Sequence, residues 1–255
     1  MAQPTYALKA LVLRRTKLGE SDLILTLLAE DGSQQRAVAK GARKPKSSFA
    51  ARTELFCVVD CLLAKGRSLD ILKEARLIAA HDHLRTGLEA SAASSPVLEL
   101  LGRMSQRDLA NPRLFQSACR ALDAMDDSDD AHRLALCAAE LLKILAFSGL
   151  RPSLDVCVGC GEAVELANGT VAPFSAIDGG VVCAKCRAHF ETVAEDAATL
   201  RWAQYFLTST FDAIAAGPAD ASASFAVLHL VQGLVRAHVG SPLKSLEFLF
   251  TSGLF

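Results

Sequence analysis

Between residues 6 and 79 the chain alternates in short runs. Leu8, Ala10 and Val12 interleave with Lys9, Leu11 and Leu13, the two-residue period of a strand. Residues 23–28 form an apolar run, and Asp31-Gly32 is a two-residue hairpin turn leading into residues 34–39. A polar stretch follows. Then come a long apolar run over residues 54–64, a Gly66-Arg67 turn and a last strand over residues 69–79. Five strands at this spacing predict a small Greek-key barrel of the OB type, and a small SH3-like barrel has the same signature.

At His81 the period changes. Leu98, Leu101 and Met104, then Leu134, Leu141, Leu142 and Leu145, recur at helical spacing. Pro96 and Pro112 suit the first turns of helices capped by Ser95 and Asn111, and Gly149 with Pro152 ends the last helix of this group. Residues 151–190 are rich in turns, and helices are expected again from about Val193, interrupted at Gly217-Pro218 and Gly240-Ser241-Pro242. The predicted fold class is α+β, an N-terminal barrel followed by an α-helical domain that contains a cysteine-bearing insertion. The expected domains are a barrel over 1–80, a helical domain over 81–150 and 191–255, and the insertion over 151–190.

With 51% hydrophobic residues among 255, the chain can build real cores, and only 6% are aromatic. The longest apolar stretches do not reach the roughly 20 uninterrupted residues of a spanning helix. Residues 134–147 contain Glu140 and Lys143, and residues 225–239 contain His229, Gln232, Arg236 and His238. No basic, apolar and small-residue leader is seen at the N-terminus, so a soluble cytoplasmic protein is expected. The net charge of −1 conceals an asymmetry: residues 1–80 carry 14 Lys/Arg against 8 Asp/Glu, and the remainder 13 against 20. A basic first module suggests a polyanionic partner.

The sharpest chemical signal is Cys157-Val-Gly-Cys160 followed by Cys183-Ala-Lys-Cys186. Two Cys-x-x-Cys knuckles separated by a short hairpin, with Asn168-Gly169 as its expected turn, can aim four thiolates at one tetrahedral zinc. Disulfides are disfavoured without a secretory leader, a redox motif needs only one pair at a helix N-terminus, and unrelated thiols would not share this double spacing. Four sulfur ligands close the coordination sphere, so the zinc is expected to be structural. Cys57, Cys61, Cys119 and Cys137 are expected to be core thiols.

The second signal is charge. Between Gly32 and Thr53 there is no acidic residue, while Arg36, Lys40, Arg43, Lys44, Lys46 and Arg52 are basic. Lys40-Gly-Ala-Arg-Lys-Pro-Lys-Ser-Ser48 predicts a mobile, exposed loop whose cations neutralise phosphates and whose serines donate to them. Residues 1–80 offer only Tyr6, Phe49 and Phe56 as stacking platforms, so binding is expected to be electrostatic and weakly base-dependent. Neutralising about six phosphates gives a log–log salt slope of roughly −4 to −5. His81-Asp82-His83 and the acidic run 126–130 show no converging ligand set for a metal-dependent nuclease, and the acidic run is expected to cap a helix beginning near Ala131. No phosphate-binding Gly-rich loop ending in Lys-Ser/Thr and no nucleophile elbow is present.

In their order along the chain these motifs resemble the RecO family of bacterial recombination and repair mediators. The likeness lies in Leu18-Gly-Glu-Ser-Asp22, Gly41-Ala-Arg-Lys-Pro-Lys-Ser47, Asp70-Ile-Leu72 with Glu74, the double Cys-x-x-Cys within helices, and Pro242-Leu-Lys-Ser-Leu-Glu-Phe248. The resemblance implies an OB-fold, a helical domain with a zinc-binding insertion, and no enzymatic activity. It also implies binding of single- and double-stranded DNA, annealing of complementary strands, and partnership with RecR. An interaction with the acidic tail of single-strand-binding protein would help RecA load onto coated DNA in the bacterial cytoplasm, at the nucleoid. On this resemblance the DNA-contact role falls on Arg36, Lys40, Arg43, Lys44 and Lys46, with Arg14, Arg15 and Lys17 next in rank. No pocket for the acidic tail is assigned: Arg103, Arg107, Arg113 and Arg120 are available in the helical part, and a solvated helix face explains them equally well. A zinc-ribbon protein–protein adaptor without DNA activity is the alternative.

Overall fold

The computed structural model describes residues 4–255, in two compact units. The first comprises residues up to 91 together with 97–126, and the second comprises 92–96 and 127–255. Among the described residues no helix is long and apolar enough to cross a membrane.

The first unit is built on a closed barrel. Its strands are β1 (Thr5–Leu18), β2 (Asp22–Ala29), β3 (Gln34–Ala39), β4 (Val58–Ala64) and β5 (Asp70–Ala79), in the order β1-β2-β3-β5-β4. All neighbours are antiparallel except β3 and β5, which run parallel with Ala37 opposite Asp70 and Val38 opposite Ile71. This closure is that of an OB-like Greek key. Alternate residues point inward, as the two-residue period requires: Ala10, Val12, Leu25, Leu27, Ala37, Val59, Cys61, Leu63 and Leu72 fill the interior.

Two strand boundaries differ from expectation. β1 runs on to Leu18 and carries a bulge between Val12 and Arg14. The fourth strand begins at Val58, not at residue 54, because Phe56, a buried residue, adopts a left-handed conformation (φ 67°) that breaks the extended run.

The β2–β3 connection also departs from the two-residue turn expected at Asp31-Gly32. It spans residues 30–33, closed by Gly32 N–H donating to Ala29 O (2.8 Å) and Ala29 N–H to Ser33 O (2.9 Å). Within the turn Asp31 Oδ1 accepts from Ser33 N–H (2.8 Å) and from Ser33 Oγ (2.7 Å), and contacts from far along the chain seat it. Helices α1 (Asp82–Thr86), α2 (Leu88–Met104) and α3 (Pro112–Asp126) follow the barrel, and this turn is seated on the α2–α3 link. Gln34 N–H donates to Gln106 O (2.9 Å), and the Gln34 side chain donates to Gly102 O (2.9 Å) and Ser105 Oγ (3.1 Å). Gly32 has φ +80°, and a Cβ there would lie 1.8 Å from Asn111 O. Pro96 does not open a helix: α2 is continuous from Leu88, and burial of Ala93, Val97, Leu100 and Leu101 carries it through the missing N–H. Pro112 does open α3, with Leu114 N–H donating to Asn111 O.

In the second unit α4 (Asp130–Phe147) is the central element, with Leu134 to Leu142 entirely buried. Asp129 caps it by accepting from His132 N–H (3.0 Å). It packs against α5 (Ala197–Thr208), α6 (Phe211–Ala215) and α7 (Ala221–Val239), and α8 (Lys244–Thr251) ends the chain's regular structure. Between α4 and α5 lies a three-stranded sheet of β6 (Val171–Ser175), β7 (Gly180–Val181) and β8 (Val193–Asp196). Val193 therefore begins a strand and not a helix, because residues 193–196 pair with 171–174 before Asp196 caps α5. Cys57, Cys61 and Cys137 are buried thiols, whereas Cys119 is only half-buried.

The seat of the β2–β3 turn makes a direct test. Gly19 also has a positive φ, but a Cβ there meets nothing within 4 Å. Gly19→Ala should lower stability by about 1 kcal/mol, the cost of the left-handed conformation alone. Gly32→Ala should cost about 3 kcal/mol, because Asn111 must also move. Equal urea midpoints for the two variants would show that the close approach carries no energy.

Candidate nucleic-acid interface and cysteine cluster

The basic segment after β3 is not a free loop, as the sequence suggested. It is a chain of successive turns fastened at several points. Asp22, the first residue of β2, accepts from Gly41 N–H at 2.7 Å and from the Ser21 hydroxyl at 2.9 Å. Arg43 N–H donates to Ser21 O (2.9 Å), and the Arg43 guanidinium donates to Glu20 O (2.8 Å) and Gly19 O (3.1 Å). Gly41 N–H, with help from the Ser21 hydroxyl and the Lys40 and Lys44 charges, holds the Asp22 carboxyl below the ordinary carboxylate range. Ala42 is buried in the barrel core and Phe49 packs half-buried against it. The chain between them is therefore pinned at both ends.

Arg36, Lys40, Arg43, Lys44 and Lys46 are all exposed. Arg36 lies on β3 opposite Thr26, and the other four lie on the fastened turns. Arg43 differs from its neighbours because its guanidinium is engaged with the β1–β2 turn. Arg14 and Lys17 are exposed on β1, and Arg15 is paired with Glu54. Arg103 is half-buried and paired with Glu99, while Arg107, Arg113 and Arg120 are exposed on the α2–α3 link and α3. The clasp by Asp22 was not read from the sequence. Leu18-Gly-Glu-Ser-Asp22 stands out there, but nothing local says that its carboxylate reaches residue 41.

His81 and His83 part company. His81 is buried with φ 46°, its Nδ1 2.7 Å from Phe56 O and its Nε2 2.9 Å from an Asp123 carboxylate oxygen. It ties the left-handed turn to α3 and is not available to a metal. The fold does bring His83 against Asp126, with Nδ1 3.0 Å from the backbone oxygen and 3.7 Å from the carboxylate, a proximity the spacing did not suggest.

In the second unit Cys157, Cys160, Cys183 and Cys186 converge, all four Sγ atoms lying within 4.8 Å of one another. Cys160 Sγ and Cys183 Sγ are 3.7 Å apart. A tetrahedron with metal–sulfur bonds of about 2.3 Å has sulfur–sulfur edges of about 3.8 Å, so the donor set suits zinc in chemistry and in size. Asn168-Gly169 is a turn, with Gly169 at φ 71° and Thr170 N–H donating to Ala167 O (3.4 Å), and the paired hairpin between the knuckles is β6–β7, where Asp178 N–H donates to Ser175 Oγ (3.2 Å). Val158 N–H donates to Val181 O (3.0 Å), which lays the first knuckle beside the strand leading to the second. Gly159 must lack a side chain, since a Cβ would lie 2.8 Å from the Phe190 ring.

The sulfurs are electrostatically unequal. Cys183 N–H donates to Cys157 Sγ at 3.2 Å and, with Gly159 and Cys160 N–H, lowers the Cys157 thiol to about 6. The crowding thiols of Cys183 and Cys160 push Cys186 up to about 12. Four thiolates this close need a divalent cation to coexist. Lys185 and Glu162 pair at 2.9 Å across the two knuckles.

A closed OB-like barrel bearing a fastened basic segment, with a helical unit carrying a four-sulfur cluster, defines a small class of two-part proteins. Family comparison gives the class its identity. The model for the recombination protein O N-terminal region matches residues 1–81, and that for its C-terminal region matches residues 85–247. The DNA repair protein RecO of Desulfitobacterium hafniense (strain DSM 10664 / DCB-2) is 36% identical over 197 residues, covering 77% of this chain and 68% of that protein. The DNA repair protein RecO of Bifidobacterium longum (strain DJO10A) is 31% identical over 250 residues, 96% of this chain and 98% of its own length. The chain belongs to the RecO family.

The clasp can be tested without any partner. Asp22→Ala removes the acceptor for Gly41 N–H, so the turns should open and trypsin should cut after Arg43 or Lys46 several-fold faster than in the parent chain. Because the Asp22 carboxyl is held below its unfolded value, the parent's protection should persist above the ordinary carboxylate range and fade as pH falls through the lowered value. Unchanged cleavage would mean that Arg43 alone fastens the segment.

Proposed function

We propose that the chain is a non-catalytic mediator of recombinational DNA repair. Its barrel binds single- and double-stranded DNA by the phosphate backbone through Arg36, Lys40, Arg43, Lys44 and Lys46, and it anneals complementary strands. With RecR it helps RecA load onto DNA coated by single-strand-binding protein, whose acidic tail it engages, at the bacterial nucleoid. Zinc held by Cys157, Cys160, Cys183 and Cys186 supplies a structural cross-link and takes no part in chemistry.

The observation that carries the DNA reading is the fastening of the basic segment. Cations on a free loop lose conformational entropy on binding, and cations already displayed on pinned turns lose less. Arg43 both holds the display in place through Nη1 and, with Arg36, Lys40, Lys44 and Lys46, offers its remaining N–H groups to phosphates. Contacts to phosphates leave base edges unoccupied, which annealing requires.

The test is fluorescence annealing of complementary oligonucleotides at two salt concentrations, with products checked on a denaturing gel. Salt-sensitive annealing of intact strands is expected. Reversing Lys44 and Lys46 to Glu should weaken binding to every sequence at least about tenfold and flatten the salt slope by about one unit per lost phosphate contact. Absent binding would favour the zinc-ribbon adaptor, and shortened strands would reveal an active site.

Zinc is tested on the same chain. Elemental analysis should give one zinc per chain, and Cys160→Ser should lose it together with stability of the 151–190 region to proteolysis. Annealing by the barrel should survive. Failure to find zinc in protein purified without chelators would remove the metal from the assignment.

A further inference from the structure

A second cluster of guanidinium groups lies on the first unit, away from the basic turns. A cleft of about 340 Å³ opens between the bulged part of β1, the Glu54–Phe56 turn and α1, and Arg14, Arg15, Arg85 and Glu54 line it together with Leu13 and Leu55. This volume is at the small end for ligand sites, large enough for a nucleotide-sized group.

Its charges are unevenly matched. Arg15 pairs with Glu54 and Arg85 with Asp82, while Arg14 is exposed and has no ion pair among the described residues. The Nε–H groups of Arg15 and Arg85 are both screened from solvent and have no acceptor. Three guanidiniums thus face one lining carboxylate, with two of their donors unsatisfied. An unmet buried donor is costly, and an anion that draws the side chains into new pairings relieves it.

The backbone around the cleft is shaped at two points. The bulge between Val12 and Arg14 re-aims the side chains of β1. Phe56, which also lines the cleft, takes φ 67°, and its carbonyl is held 2.7 Å from Nδ1 of buried His81. Non-glycine residues in this conformation cluster at binding sites, where the surroundings hold the strain. The cleft also continues the basic segment. From Arg15 to Leu18 is three strand residues, about 10 Å, and Leu18 leads into the turn whose carbonyls hold Arg43. At about 3.4 Å per phosphate along a stacked strand, one strand spans this distance in roughly three nucleotides.

We propose that this cleft binds a single nucleotide of a DNA strand, its phosphoryl oxygens on Arg14, Arg15 and Arg85 and its sugar or base against Leu13 and Leu55. Glu54 is the internal competitor that the phosphate displaces from Arg15. The assignment deepens the DNA-binding reading and adds Arg85, a helix residue, to it.

The test uses the full chain and two probes. Millimolar thymidine 5′-monophosphate should raise the melting temperature of the parent chain. The rise should vanish in R14Q and R85Q and grow in E54Q. R14Q is at an exposed position, so it keeps the test decisive if R85Q does not fold. Oligothymidylate binding should weaken about tenfold in R14Q, a typical loss for one phosphate-binding arginine. A stronger effect with 5′-phosphorylated than with 5′-hydroxyl or circular strands would assign the cleft to a strand end, and equal effects would assign it to an internal nucleotide. No melting shift with the mononucleotide, or one that R14Q and E54Q leave unchanged, overturns the cleft. Loss of oligonucleotide binding in the Lys44/Lys46 reversal with the mononucleotide shift intact separates the two sites.

Discussion

Closing a five-stranded barrel in this order leaves one seam that no hairpin can make. β3 meets β5 in parallel, at only two paired positions, and Asp70 sits at that seam with 2% exposure. Burial alone would push its carboxyl upward. The Tyr6 hydroxyl and Gly66 N–H (3.0 Å) donate to it, Lys65 lies 3.8 Å away, and together they hold it below the ordinary range. Tyr6 belongs to β1, so one buried carboxylate ties the first strand to the last at the weakest part of the ladder. The basic turns and the arginine-lined cleft both hang from this closure: the end of β3 launches the basic turns, and the end of β5 delivers His81 and Arg85.

The same economy of contacts explains how a short sequence can display several cations together. Like charges on adjacent residues repel and would scatter a flexible loop. Here the repulsion is opposed by neutral acceptors, namely the carbonyls of Gly19, Glu20 and Ser21, and by one carboxylate, Asp22, which accepts from Gly41 N–H and lies in the field of Lys40 and Lys44. The positive field outside is retained while the backbone beneath it is fixed.

What could be read from the sequence was what depends on near neighbours. Residues 8–13 carry a strand's two-residue period, Cys157-x-x-Cys160 and Cys183-x-x-Cys186 announce their tetrahedron by spacing, and the absence of acid from 32 to 53 marks the exposed cations. What could not be read depends on residues far away in the chain. The β2–β3 turn is seated on Gln106 and against Asn111, far along the chain. Phe56 turns left-handed because its carbonyl meets His81 and its ring is buried. Pro96 stays inside α2 because the helix is buried on both sides of it. Residues 193–196 are a strand only because 171–174 lie beside them. Asp22 looked like the start of a strand, and its second role appears only when residue 41 comes back to it.

The two sites also differ in what they demand of the fold. The sulfur cluster is local and self-contained: Val158, Val181, Gly159 and Phe190 position it within some thirty residues, and a metal can hold it as a cross-link where little apolar surface is available. The basic surface is spread over strands that meet only when the barrel is complete. Loss of the Asp70 seam would release β3 and the basic turns beyond it together, while the cysteine cluster depends on its own short segment. The barrel's exposed cations keep fixed places because one buried carboxylate, Asp70, closes the sheet that carries them.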